Sequence, residues 1–380
     1  IPSSNVKLFT LYAGMKYLGD SIATAKVFES NDSLFFEPTG DPTFLHKDFK
    51  SQPFLNFLSA RKNNKLVFIP SAKDSFAKYG QGWAWDDYQE DFMPERSQFP
   101  VFGNLFEAEK KGRHLVSNPP SFLANQFFSA PAESLITTGT SFKIVRDPDK
   151  NIFHFEAAAD EFKKQSIPFI TDETGLVFQM QLSFLADTLG NRENKFSFDS
   201  TASFQWRKIY SRPVDSLFRP MMFNSDNFFA EQTLLMVSNE KLGYMSDEQI
   251  IDTLLKTDFK DIPAKPRWVD GCGLSRYDLF SPKDFIYILN KLQSEFGLAR
   301  MKRILPTGGQ GTLTNYYESD AGFIYAKTGS MSNNVSLSGY LITKKNKLLL
   351  FSVIINNFDG SGKSGRRAIE KLIKSVRETN

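Results

Sequence analysis

The sequence predicts an α+β fold, and three observations predict it. Helical spacing of apolar residues opens the chain, returns past Pro213 and closes the chain. Between about Asn104 and Thr201 it gives way to short strand-like runs parted by turn residues. Three more strand-like runs then precede the last helix. Helices and strands gathered into separate stretches, rather than alternating, argue for this class. A chain of 380 residues also exceeds one ordinary core, so more than one domain is expected.

In order along the chain, Leu8, Leu11, Tyr12, Met15 and Leu18 give a helix from Ser4 to about Leu18, stopped by Gly19-Asp20. Thr24–Phe28, Ser33–Phe36 and Lys65–Pro70 read as strands, with a turn cluster at Gly40–Thr43. An aromatic and acidic stretch follows at Gly82–Tyr88. Ser141–Val145, Ile152–Ala157, Leu176–Leu182 and Lys195–Phe198 are the strands of a largely β insert, with turns at Asp147–Asp149 and Asp187–Asn191. A helix runs over Asp226–Ser238, and Ser246 with Gln249 forms a capping box for one reaching about Lys256. Ser281-Pro282 starts another that Gly297 ends. Phe323–Lys327, Ser336–Thr343 and Lys347–Asn356 are strands, with a hairpin turn at Lys344–Asn346 and a final helix over Ser364–Arg377. Lys327-Thr328-Gly329 therefore falls at the end of an edge strand.

Composition excludes several classes. A net charge of +3 with dispersed basic residues does not suit nucleic acid or an anionic membrane. The single cysteine, Cys272, allows no internal disulfide and no cysteine metal site. His46, His114 and His154 lack ligand spacing, which argues against zinc, and no G-x-S-x-G elbow accompanies them. No apolar run is long enough to span a membrane. The 38 phenylalanines read as core.

The chemistry lies in three short motifs. Ser4-x-x-Lys7 sets a hydroxyl and an amine on one helical face. A serine is a weak nucleophile until a base takes its proton, and a lysine whose ammonium is disfavoured can be that base. Ser225-Asp226-Asn227 and Lys327-Thr328-Gly329 follow in order. Together the three are the signature of β-lactamases and penicillin-binding proteins.

With longer stretches quoted, the chain resembles the D-alanyl-D-alanine carboxypeptidase/endopeptidase family, the class C low-molecular-mass penicillin-binding proteins of peptidase family S13. The resemblance rests on P-S-S-N-V-K-L-F-T at 2–10, G-D-P-T at 40–43 and G-W-A-W-D-D at 82–87. It continues through M-M-F-N-S-D-N-F-F-A-E at 221–231, D-G-C-G-L-S-R at 270–276, G-T-L at 311–313 and A-K-T-G-S-M at 326–331. It implies a transpeptidase/β-lactamase-like domain, an antiparallel sheet flanked by helices, made of residues 1–21 and 203–380. Residues 22–202 would be the insert, as two small, mostly β domains. The family has strands and a helix ahead of its first motif, so residues upstream of Ile1 are expected to be processed, disordered or left out.

The implied reaction is acyl transfer through an ester on Ser4. Lys7 would be the base in acylation, and Ser225 would carry the proton to the leaving amine. Asn227 would bond the substrate backbone and orient Lys7, while Asp226 would be structural. Lys327 would attract the substrate carboxylate and depress the pKa of Lys7, and Thr328 and Ser330 would bond that carboxylate. Gly329 would let the strand approach the ligand. The backbone N–H groups of Ser4 and Ser330 would form the oxyanion hole. Asp87 with Phe92 (or Asp86 in second place) and Met331 would receive the amine end of the peptide stem. The plainer reading makes Asp86-Asp87 a turn and Trp83 and Trp85 core. Cys272 stands where the family has serine, and reads as a small packed residue rather than a nucleophile. No cofactor is needed. The implied partners are peptidoglycan stem peptides and β-lactams as covalent inhibitors, outside the cytoplasm and in the periplasm. Peripheral membrane association and oligomeric state stay open. The alternatives are a β-lactamase-like hydrolase and an inactive penicillin-binding scaffold.

Overall fold

The computed structural model describes residues 1–30, 32–61, 64–112, 114–119, 141–158, 163–171 and 205–380. The strands expected at Leu176–Leu182 and Lys195–Phe198, and the turn at Asp187–Asn191, lie outside them. The chain forms two compact units. The first is Ile1–Ile22, Lys73–Trp83 and Arg212–Asn380; the second is Ala23–Ala72 and Ala84–Ser211. Lys73–Trp83, expected in the insert, thus clusters with the first unit.

Chain order gives a 3-10 turn over Ser3–Val6, then α1 (Lys7–Tyr17), β1 (Ser21–Ser30), β2 (Ser33–Pro38), α2 (Pro53–Ser59) and β3 (Lys65–Phe68). Next come β4 (Leu105–Lys111), β5 (His114–Asn118), β6 (Phe142–Arg146), β7 (Phe153–Ala157), β8 (Lys164–Pro168) and β9 (Arg207–Pro213). The remainder holds α3 (Asp215–Phe223), α4 (Asn227–Leu242), α5 (Asp247–Lys256), α6 (Pro282–Phe296) and α7 (Leu298–Ile304). It ends with β10 (Ile324–Met331), β11 (Asn334–Ile342), β12 (Leu348–Asn356) and α8 (Gly362–Thr379).

In the first unit, β10, β11 and β12 form an antiparallel sheet in that order. β11 is buried from Asn334 to Leu341, as a central strand covered on both faces must be. α1 is buried from Lys7 to Met15, which is why its apolar residues lie all round rather than on one stripe. Phe9 meets the rings of Phe259, Trp268, Phe280 and Phe285. Gly14 lets α1 come close to its neighbours, since a Cβ there would lie 2.7 Å from the Phe218 ring and 2.9 Å from Thr233. The helix starts obey their caps. Ser281 and Asp284 exchange both bonds of a capping box, whereas Ser246 accepts only from the Gln249 N–H.

The second unit holds a sheet of order β3-β2-β1-β9, a sheet β5-β4-β8 and the hairpin β6-β7. β2 and β3 run parallel with α2 between them in sequence. Among the described residues of this unit, Phe36, Phe44, Phe54, Phe106 and Phe153 are buried in one core.

Two expectations are corrected here. The edge strand does not stop at Lys327: β10 runs on to Met331, where it pairs with Asn334, so Lys327-Thr328-Gly329 sits inside the strand. Pairing with β11 from Ile324 to Met331 keeps the Thr328-Gly329-Ser330 run extended. Trp85 is 83% exposed and so is not core.

Candidate active site

The site begins on the 3-10 turn Ser3–Val6. Three residues per turn place Ser4 and Lys7 one above the other. Lys7 Nζ donates to Ser4 Oγ at 3.0 Å, to Asn227 Oδ1 at 2.6 Å and to the Cys272 carbonyl at 2.7 Å. The turn is fastened to the sheet. Asn5 Nδ2 donates to Ser338 Oγ at 3.0 Å, and Ser336 Oγ donates to the Pro2 carbonyl at 2.6 Å.

The second motif joins two helices. Ser225, between α3 and α4, holds φ of 63°, which costs a non-glycine residue about 1–2 kcal/mol. Asp226 caps α4, accepting from the Phe229 N–H at 2.8 Å. Its side chain is thereby committed, while Asn227, the first helical residue, reaches Lys7. Lys327 on β10 donates to Ser225 Oγ at 2.7 Å and to the Thr328 carbonyl at 2.8 Å. Five of the expected side chains, Ser4, Lys7, Ser225, Asn227 and Lys327, therefore meet in two linked clusters.

Both lysines are fully buried. Burial lowers the pKa of Lys7, and the nearby acidic groups Asp270, Asp226 and Glu231 pull the other way. Burial, with the charge of Lys7 added, holds Lys327 well below the ordinary lysine range. Like-charge repulsion was expected to act on Lys7. Desolvation is instead the main cause there, and the repulsion weighs on Lys327.

Gly329 was expected to make room for a ligand. A Cβ there would lie 2.5 Å from the Pro2 carbonyl oxygen and 2.2 Å from Ser336 Oγ. The glycine lets β10 pass close against the turn that carries Ser4. Gly273 does the same from the other side: its φ is +85° and a Cβ would lie 2.0 Å from the Ser3 carbonyl oxygen.

Sequence reasoning missed the support beneath Lys7. Asp270 is buried and accepts from the N–H groups of Gly273 at 2.6 Å and Ser275 at 2.7 Å, and from the Trp83 indole at 2.9 Å. These bonds shape the loop whose Cys272 carbonyl faces Lys7. Burial and neighbouring Asp270 push the Asp278 carboxyl well above the usual range. The Cys272 thiol is buried and its pKa is pushed far up by that burial, so it is no nucleophile. Glu231, Asp270 and Cys272 come within ligating distance of one another. The oxygens of Asp270 already serve backbone groups and the thiol is held protonated, a poor set for a metal.

The remaining expected residues are placed as follows. Thr328 is half-buried on β10, Ser330 is exposed and Met331 ends the strand. Arg366 of α8 donates to Ser330 Oγ at 3.2 Å, a contact no motif announced. Asp87 closes a 3-10 turn over Trp85–Asp87 in the second unit, and Phe92 there is 38% exposed. Asp86 is exposed on the same turn.

Residues 177–376 match the D-Ala-D-Ala carboxypeptidase 3 (S13) family. The D-alanyl-D-alanine carboxypeptidase DacB of Haemophilus influenzae is 23% identical over 397 residues, covering 94% of this chain and 81% of that protein. Carboxypeptidase DacB of Mycolicibacterium smegmatis is 31% identical over 183 residues, covering 45% of this chain and 39% of that protein. The crystal structure of penicillin binding protein 4 (dacB) from Haemophilus influenzae matches with a TM-score of 0.71 at 21% identity, covering 95% of this chain and 86% of that one. That likeness shows the same fold, helices around antiparallel sheets, as the sequence predicts.

Proposed function

The chain belongs to the D-Ala-D-Ala carboxypeptidase 3 (S13) family, and from that membership we propose that it is a serine-type D-Ala-D-Ala carboxypeptidase/endopeptidase acting on peptidoglycan stem peptides through an acyl-enzyme on Ser4. One observation carries the reading. A fully buried lysine amine lies 3.0 Å from Ser4 Oγ while bonded at 2.6 Å to Asn227.

Burial disfavours the charge of Lys7; in its neutral form the amine keeps two N–H donors for Asn227 and the Cys272 carbonyl and takes the Ser4 proton as Oγ attacks the carbonyl of the D-Ala-D-Ala bond. The backbone N–H groups of Ser4 and Ser330 hold the oxyanion, each worth about 3 kcal/mol in the transition state. Ser225 gives its proton to the departing amine as the C–N bond breaks, and is reprotonated through the lysines. Its hydroxyl can donate and accept at once, and Lys327 holds it in place. The terminal D-Ala leaves. Water, deprotonated by Lys7, then opens the ester and restores Ser4. Asn227 fixes Lys7 and bonds the substrate backbone; Thr328 and Ser330 meet the terminal carboxylate. β-Lactams acylate Ser4 and leave slowly. The substrate sets the place of work outside the cytoplasm, and we extend this to the periplasm.

The test is release of D-alanine from a peptide ending in D-Ala-D-Ala. The wild type should release it, and Ser4→Ala should release none while melting at an unchanged temperature. Undiminished release by Ser4→Ala would contradict the proposal. Rapid penicillin hydrolysis without peptide cleavage would favour the β-lactamase-like alternative.

A further inference from the structure

We infer that Arg366, brought in by the C-terminal helix, binds the terminal carboxylate of the substrate and sets the enzyme's preference for peptides that end in a free D-Ala over peptides that continue. This rests on the peptidase reading above and assigns the end of the substrate to a residue outside the three motifs.

Arg366 lies on the first turns of α8. Its guanidinium donates to Ser330 Oγ at 3.2 Å through one terminal nitrogen and to the Tyr316 hydroxyl at 3.2 Å through Nε. Arg367 lies over the face of the same tyrosine, 4.4 Å from the ring centre, so Tyr316 is held where it can aim Arg366. Gly362 clears the way, since a Cβ there would lie 3.2 Å from the guanidinium. Among the described residues Arg366 pairs with no carboxylate, and its other terminal nitrogen makes no bond to protein. It is a half-buried cation, fixed in direction, with donors to spare.

Those donors line a small pocket. Arg366, Tyr316, Thr312, Thr328 and Ser336 share it with Leu313, Tyr317, Leu337 and Ile369, and its volume is about 20 Å³. Thr312 Oγ1 is buried and has no hydrogen-bond partner among the described residues. It belongs to the G-T-L stretch for which the sequence offered no role. Thr328 stands in the strand of the third motif, beside Lys327. An oxygen-rich anion would satisfy the threonine hydroxyls and the free guanidinium N–H groups together.

The division of charge supports the choice of Arg366 over Lys327. Lys327 is buried and held well below the ordinary lysine range, which suits proton relay better than anion binding. An arginine keeps its charge throughout the useful pH range and offers the planar fork that fits a carboxylate. The start of an 18-residue helix adds its own positive end at the same place.

The experiment compares two peptides on the full chain: one ending in D-Ala-D-Ala as the free acid, and the same peptide as its C-terminal amide. The wild type should favour the acid. Arg366→Gln keeps hydrogen-bonding atoms but no charge. It should raise KM for the acid about tenfold, roughly 1.4 kcal/mol, with kcat nearly unchanged and the amide unaffected. Should the glutamine variant fail to fold, Arg366→Lys carries the test: charge without the fork should lower the acid preference partway. An acid-to-amide ratio equal to that of the wild type overturns the inference, as does an equal loss on both peptides, the mark of a structural role. A wild type that cleaves neither peptide and takes no penicillin on Ser4 overturns the peptidase reading itself.

Discussion

Lys7 has three oxygen partners and no water-facing surface. Its oxygen partners and the acidic groups nearby favour the ammonium, while burial, the larger effect, disfavours it. Lys7→Met should therefore lower kcat/KM by roughly 10²- to 10⁴-fold, the usual worth of a positioned base, without loss of folded structure by circular dichroism. The neutral amine is the active form, so kcat/KM should rise with pH through a pKa below the ordinary value of 10.5. Stability follows the same direction. Between the depressed pKa values of the two lysines and 10.5, the folded chain binds fewer protons than the unfolded chain. Their contribution to stability therefore rises with pH across that window and is lost as pH falls through the folded values. Lys327→Met should flatten this slope in melts taken along a pH series. A slope that does not change would contradict the burial account. These two side chains were legible in the sequence because their residue types and short spacings carry the chemistry. Asp270 and the Cys272 carbonyl were not, because a backbone oxygen has no residue signature and its direction is fixed by bonds over long sequence separations. Asp270→Asn removes one oxygen acceptor from a buried hub of N–H donors, and should cost about 1–3 kcal/mol in denaturant unfolding.

Among the elements, the 3-10 turn Ser3–Val6 is fastened by the Asn5 and Ser336 side chains and seated closely against Gly329 and Gly273. Gly329→Ala would push a methyl onto Ser336 Oγ and the Pro2 carbonyl. It should destabilise by about 1–3 kcal/mol and lower the acylation rate by moving Ser4. A melting temperature and acylation rate equal to the wild type would remove the proposed seat for the turn. Helix α1, the capped helices α5 and α6 and the strands β11 and β12 could be read from apolar spacing and caps. Strands β4 and β8 could not. K-Q-S-I-P at Lys164–Pro168 has little strand character alone, yet it pairs with β4 from Leu105 to Glu109. The full length of β10 was hidden for a like reason, since pairing with β11 overrides a local T-G-S sequence.

Across the whole molecule, the motifs that make the site come from three distant parts of the chain, residues 4–7, 225–227 and 327–329, and all fall in the first unit. The long separation between the first two is filled by the second unit and the stretch Lys73–Trp83. The order of motifs made the fold class and the family legible at once. The return of Lys73–Trp83 to the first unit was not, because it is anchored by single contacts such as Trp83 to Asp270 and Ser275 to the Gln81 carbonyl. Among the described residues no helix is long and apolar enough to cross a membrane.

The central claim is that Ser4 is the nucleophile, and the most direct test is intact mass after incubation with a penicillin, with the adduct mapped by peptide digestion. One stable adduct carried by the peptide containing Ser4, absent from Ser4→Ala, is the predicted result. An adduct on any other residue, or none with the peptide substrate still cleaved, would contradict it.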